Sequence, residues 1–193
     1  MAVVSLKYKS KQGTLTAPGD VDPGAMIPIA TTTLSTATAT ITFSSIPQVY
    51  EHLQLRISGG TAAGNTIEIQ FNSDTGNNYS IHRITANNGS SIAVGGAASQ
   101  TRIALGAGAG LNFASSVVSG AILDILDYAN TSKNKTTRSI TGWDSNSAGY
   151  LDFESGAWYS TAAINRIDLK GASSSNWVSG STVALYGIKR AGA

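Results

Sequence analysis

EHLQLRI, residues 51–57, sets apolar Leu53, Leu55 and Ile57 alternately with polar His52, Gln54 and Arg56. A period of two puts successive side chains on opposite faces of an extended chain, so this stretch reads as a half-buried antiparallel strand. The same period recurs on both sides of it. In ATATITF, Ala37, Ala39, Ile41 and Phe43 alternate with threonines; in TIEIQF, Ile67, Ile69 and Phe71 alternate with Glu68 and Gln70. YSIHRI, RSITGW, GYLDFES, AWYS, INRIDLKG and STVALYGI supply further candidates, separated by turn-forming clusters.

Two segments are less regular. GAILDILDYA spaces Ile122, Leu123, Ile125 and Leu126 in a way that fits a helix or a strand buried on both faces. Its neighbours favour the strand. Residues 86–110 are rich in Gly, Ala, Ser and Asn and read as a long surface excursion, with room for short edge strands. Eight or more strands without a convincing helix predict an all-β fold, an antiparallel β-sandwich of jelly-roll type, over residues 27–193.

Composition agrees with this. Only 12% of the 193 residues are charged, and the net charge is +2. Such a surface stays soluble through hydroxyls and amides, and it gives no basis for wholesale nucleic-acid binding. There is no cysteine, which excludes disulfides, thiolate metal sites and a cysteine nucleophile. The opening MAVVSLKYKSKQG lacks the order of a secretory signal, since its lysines follow its apolar run. No apolar run approaches the ~20 residues of a membrane span. Four Asn-x-Ser/Thr sequons, at Asn78, Asn88, Asn130 and Asn134, read as chance in so Asn- and Ser-rich a chain.

Residues 1–26 differ from the rest. Lys7, Lys9 and Lys11 alternate with Tyr8 and Ser10, and Pro18 and Pro23 follow. Proline disfavours helix and holds the chain extended. The segment therefore reads as an arm with a reach on the order of 80 Å. Lys7, Tyr8, Lys9, Lys11, Pro18 and Pro23 are its candidate partner-binding residues.

Chemistry is sparse. His52 and His82 sit on polar strand faces without metal-ligand spacing, and no G-x-S-x-G elbow accompanies the many serines. Asp152 and Glu154, two apart on one strand, do not flank a sugar from both sides as glycoside hydrolysis requires. Cross-strand pairing with Arg138 or Arg166 is their expected use. The glycine runs lack the strand–glycine–helix arrangement of a phosphate loop. No catalytic residue, cofactor or metal is predicted.

FNSDTGNNYS, residues 71–80, offers Asn72-x-Asp74-x-Gly76 as the start of a calcium loop. Counting from Asn72, however, Arg83 falls where an EF-hand requires glutamate. The stretch reads as a hairpin connection between TIEIQF and YSIHRI, with a looser calcium site on Asp74 as the alternative. Trp143, Trp158, Tyr159 and Trp177 are either a sugar-stacking platform or plugs of a core or interface.

The order of a Pro-rich arm, TATITFSSIPQVYEHLQLRI, IEIQFNSDTGNNYSIHRI and a closing GSTVALYGIKR resembles a group of small β-sandwich virion proteins of tailed phages, cyanobacterial phages among them. The resemblance implies a structural protein of the particle, not an enzyme. No repetitive fibre shaft precedes the sandwich, so the expected role is a capsid cement or decoration protein on the capsid surface, made in the host cytoplasm. The sandwich would sit on the shell as a homo-oligomer, a trimer being favoured. Its arm would lace neighbouring copies of the major capsid protein, Lys7, Lys9 and Lys11 meeting acidic shell surface. No nucleic acid or membrane partner is expected. The alternative is a tail or head-fibre module that contacts host glycans through the tips Asp74–Asn78 and Asn87–Ser91. A polysaccharide-degrading enzyme ranks below both.

Overall fold

The computed structural model describes residues 24–190 apart from 63, 90, 109 and 112–117. Lys7, Tyr8, Lys9, Lys11, Pro18 and Pro23 of the predicted arm lie outside the described residues. In chain order the strands are β1 (Met26–Thr33), β2 (Thr40–Phe43), β3 (His52–Ser58), β4 (Ile67–Phe71), β5 (Tyr79–Asn87), β6 (Ser91–Gln100), β7 (Ile103–Leu105), β8 (Val118–Leu126), β9 (Lys135–Asp144), β10 (Gly149–Trp158), β11 (Ile167–Gly171) and β12 (Thr182–Ile188).

They form two antiparallel sheets, one of eight strands in the order β1-β12-β3-β8-β9-β10-β5-β6 and one of four in the order β2-β11-β4-β7. The all-β, antiparallel sandwich expected from the alternation is the observed fold. Its core lies between the sheets. From β3 come Leu53, Leu55 and Ile57; from β4 come Ile67, Ile69 and Phe71; from β11 come Ile167 and Leu169, all at most 5% exposed. Burying a side chain of this size contributes roughly 1.5–3 kcal/mol. Pro28 is tolerated because β1 is an edge strand, and the pairing with β12 slips by one residue just after it.

Four expectations change. The segment GAILDILDYA is a strand, but not one buried on both faces. Ala121, Leu123 and Ile125 are buried, while Ile122 is 44% exposed, because nothing among the described residues covers the outer face of the large sheet. Residues 86–110 do carry an edge strand at the surface, but a long one, the ten-residue and largely exposed β6, and they then enter the core through Ile103 and Leu105 of β7. FNSDTGNNYS is not a hairpin. β4 pairs with β11 and β7 in the small sheet, whereas β5 pairs with β10 and β6 in the large one. The stretch is an arch that carries the chain from one sheet to the other. AWYS, taken as a separate strand, continues GYLDFES within β10 as far as Trp158.

Candidate functional site

The large sheet is inside out over half its width. In β9 the inward residues include Thr137, Ser139 and Thr141, all buried, while Ile140 points out and is 52% exposed. In β10 the inward residues include Asp152 and Glu154, while Leu151 and Phe153 point out, each 53% exposed. An antiparallel sheet with one solvated face ordinarily carries its polar residues outward.

The reason lies beneath. The four-stranded sheet ends at β7, which packs on β5 and β10. Beyond it the inner face is covered by the glycine-rich turn that follows β7. Backbone N–H groups of Gly106 and Ala107 donate to the Glu154 carboxylate at 3.0 and 2.9 Å, and that of Gly108 to Asp152 at 3.0 Å. The Ser139 hydroxyl donates to Glu154 at 3.1 Å. A chain without side chains presents donors, so the strand beneath presents acceptors. Burial raises the Glu154 pKa, which the N–H groups of Ala107 and Gly106 oppose. These acids do not form the pairs with Arg138 or Arg166 expected from sequence. Arg138 instead donates to Ser155, and Arg166 to Asp168 at 2.8 Å.

The displaced apolar residues gather on the other side. Register aligns Ile122 with Ile140, Ile140 with Phe153, Phe153 with Ile84 and Ile84 with Val94, a single row across five strands. The next row is Gly120, Gly142, Leu151, Ala86 and Ile92. Val94 and Ile92 are 80% and 76% exposed. On the opposite flank runs a polar row of Gln54, Asp124, Arg138, Ser155 and His82. In it Gln54 donates to Asp124 at 2.7 Å, and Arg138 to Ser155 at 2.9 Å. Sequence reasoning missed this face because it assumed that apolar positions point inward. The signal was present: Ser139 and Thr141 share one parity in RSITGW, as Asp152 and Glu154 do in GYLDFES, while Ile140 in the first and Leu151 and Phe153 in the second take the other.

The other candidates resolve as follows. Both carboxylate oxygens of Asp74 are engaged. Oδ1 accepts from the Gly76 N–H at 2.8 Å, and Oδ2 accepts from Trp158 Nε1 at 2.7 Å and Asn78 Nδ2 at 3.0 Å. Burial acts to raise the pKa of Asp74, but these three donors outweigh it and hold the carboxyl below its usual value. The calcium-loop residue is thus the knot that ties the arch to the core.

His52, Glu51 and Asp127 bring one ligand atom each within 4.8 Å of one another. The His52 Nδ1 already accepts the Asp127 N–H at 3.0 Å, and the carboxylates face Lys133 at 3.1 Å and Arg190 at 3.7 Å. His82 is exposed in the polar row.

Trp158 and Trp177 are core residues, 2% and 0% exposed, so the four aromatics do not form one platform. Trp143 stands apart, its ring 5.0 Å from that of Tyr150. Both line a hollow of about 500 Å³ together with Asn88, Asp144, Asn146 and Ser147. The two tips that sequence reading paired as glycan contacts lie at opposite ends of β5, about 30 Å apart along a nine-residue strand. Only the Asn87–Ser91 end meets the hollow, through Asn88 and Gly89.

No protein-family model matches the chain, and no curated protein is similar to it. Among solved structures, the crystal structure of Caenorhabditis elegans galectin LEC-6 is similar at 10% sequence identity, over 88% of this chain and 99% of that one, with a TM-score of 0.34. A likeness of that size carries no argument about function. No helix among the described residues is long and apolar enough to cross a membrane.

Proposed function

We propose that the chain is a non-enzymatic structural protein of a tailed-phage particle, a decoration protein that works by docking on other proteins. The observation that carries this reading is the outer face of the large sheet. Its exposed residues Ile84, Ile92, Val94, Ile122, Ile140, Leu151 and Phe153 adjoin one another across the strands. A contiguous apolar face of this extent marks a protein contact. The resemblance of the chain to small virion sandwiches supplies the setting, the capsid surface. Residues 1–26 are the proposed lacing arm, with Lys7, Tyr8, Lys9 and Lys11 as its contacts to the major capsid protein. Main-chain strand addition and multivalency would let many weak links hold a shell.

The test is co-sedimentation of the purified protein with capsid shells of its phage that lack it. Full-length protein should pellet with the shells, and protein lacking residues 1–26 should remain folded and stay in the supernatant. Equal attachment of the truncated form overturns the lacing role. A second reading, binding of host glycans, is favoured by the Trp143–Tyr150 hollow alone. An indole face beside amide and carboxylate groups suits a sugar ring, and a glycan array without a hit removes that reading.

A further inference from the structure

The outer face of the large sheet raises the question of what covers it. We infer that it is covered by a second copy of this chain, two large sheets packing face to face about a two-fold axis. The inference rests on reading this face as a protein-docking surface, and it goes further by naming the occupant.

Along the middle of β9 and β10 the inward positions include Thr137, Ser139, Thr141, Asp152 and Glu154, and the outward positions include Ile140, Leu151 and Phe153, with Arg138 and Ser155 beside them. By residue type, the outward side over 139–141 and 151–154 is the one with a core-like composition. Alternating apolar residues brought into line by register are what a sheet-on-sheet interface requires, with side chains from two such faces interdigitating across about 10 Å.

Five strands at ~4.8 Å spacing and about ten residues at ~3.3 Å each span on the order of 800 Å². That equals the surface each partner contributes to a standard stable interface, about 800 Å². A peptide or an isolated arm would cover one or two strands of it. A second copy covers all five.

The charged residues sharing this face on β8, β9, β10, β5 and β6 are Asp124, Arg138 and Asp144. A membrane or nucleic-acid surface would call for several lysines or arginines there. Asp124 and Arg138 are register partners in the polar row. The face therefore repels neither sign strongly and is compatible with itself. A two-fold contact is isologous, so the same apolar rows serve both partners. The inferred unit is thus a pair, not the three-fold oligomer expected from the virion resemblance.

The experiment uses the full chain in analytical ultracentrifugation over a range of concentrations. Wild-type protein is expected to sediment at the mass of two chains. Phe153→Lys, and separately Ile140→Lys, should weaken association by about 100-fold or more, since each places a charge at the centre of the contact. Near-ultraviolet circular dichroism should be unchanged, because both side chains point away from the core.

The absence of cysteine gives a second readout. Phe153→Cys should cross-link to itself with a short bis-maleimide. Thr42→Cys, on the outer face of the small sheet, should not. A single-chain mass for wild-type protein at about 100 µM overturns the inference, as does a two-chain mass that both lysine variants retain. A monomer that floats with anionic liposomes, or that reaches shells only with Phe153 intact, overturns it in favour of that other occupant. Sedimentation and shell attachment fail separately. Loss of the pair with attachment preserved removes only this inference, and a stable pair that never binds shells removes only the capsid reading.

Discussion

Asp74→Ala tests how the arch between the sheets is held. Asp74 accepts the indole N–H of Trp158 at 2.7 Å, the backbone N–H of Gly76 at 2.8 Å and the amide of Asn78 at 3.0 Å. Trp158 is 2% exposed and packs with Phe71 and Tyr79, with ring centroids 5.6 and 6.2 Å away. Tyr79 is buried, its hydroxyl pushed up to about 12, and it binds the arch at the Phe71 N–H and the Asp74 carbonyl. Truncation removes a charge-assisted hydrogen bond and leaves a buried donor unsatisfied, which together cost about 2 kcal/mol. The Gly76 bond adds about 1 kcal/mol, and the exposed Asn78 contact adds little. The expected loss is about 3 kcal/mol, a fall in melting temperature of about 6–12 °C for a chain of this size. Urea unfolding followed by tryptophan fluorescence measures it, with an unchanged m-value required. Asp74→Asn keeps an acceptor for Trp158 and should lose about half as much. In a double-mutant cycle with Trp158→Phe, Asp74 and Trp158 should couple by about 2 kcal/mol. If Asp74→Ala stays within about 0.5 kcal/mol of wild type, the arch is not tied at this residue.

Acid should loosen the same region. Burial opposes but does not cancel the donors that hold Asp74 and Asp168 below the usual 3.8. The stability they contribute is present above 3.8 and is lost as pH falls through their lowered values. Asp74→Asn with Asp168→Asn should shift the acid midpoint of unfolding upward and flatten the slope below it. Glu154 behaves oppositely, because burial raises it above 4.5. Stability should decline as pH rises through its raised value, and Glu154→Gln should abolish that decline in urea titrations at successive pH values. Lys135 is fully buried, and its ammonium donates to the carbonyls of Asn130, Lys133 and Thr161 at 2.6, 2.8 and 3.2 Å. Lys135→Met leaves three acceptors without that donor and should cost about 2–4 kcal/mol by thermal unfolding. Gly110 has φ of +69°, and a Cβ there would strike the Gly64 carbonyl. Gly110→Ala should cost more than about 3 kcal/mol or prevent soluble expression.

The strands were legible because alternation depends only on the chain. Leu53, Leu55 and Ile57 share a face whatever the rest of the protein does. Partnership between strands was not legible in the same way. FNSDTGNNYS has the residues of a hairpin turn, yet it crosses between sheets, because the Asp74 side chain bonds to Trp158, eighty-four residues away. The carboxylate that suggested calcium is engaged by donors that lie beyond any local motif. The second tip was legible in part. Trp143 and the Asn87–Ser91 turn were both singled out, but only register places Asn87 opposite Tyr150 and Tyr150 opposite Trp143.

Alternation also leaves one bit undetermined, namely which of the two faces is inward. Apolar-in is the usual choice, and in β3 and β8 it holds. In β9 it fails, since Ser139 is buried against Glu154 while Ile140 is exposed. This inversion makes a prediction that the ordinary reading of RSITGW reverses. Ser139→Val removes the hydroxyl that serves Glu154 and should destabilise by about 1–3 kcal/mol. Ile140→Thr, measured at dilutions where the chain is a monomer, should change stability by less than about 0.5 kcal/mol. The same Ile140→Thr protein at high concentration should associate more weakly, because its missing apolar surface lies in the row shared with Phe153. If Ile140→Thr proves the more destabilising of the two in the monomer, β9 faces the other way. The apolar row would then be core, and the outer surface would have no need of a partner.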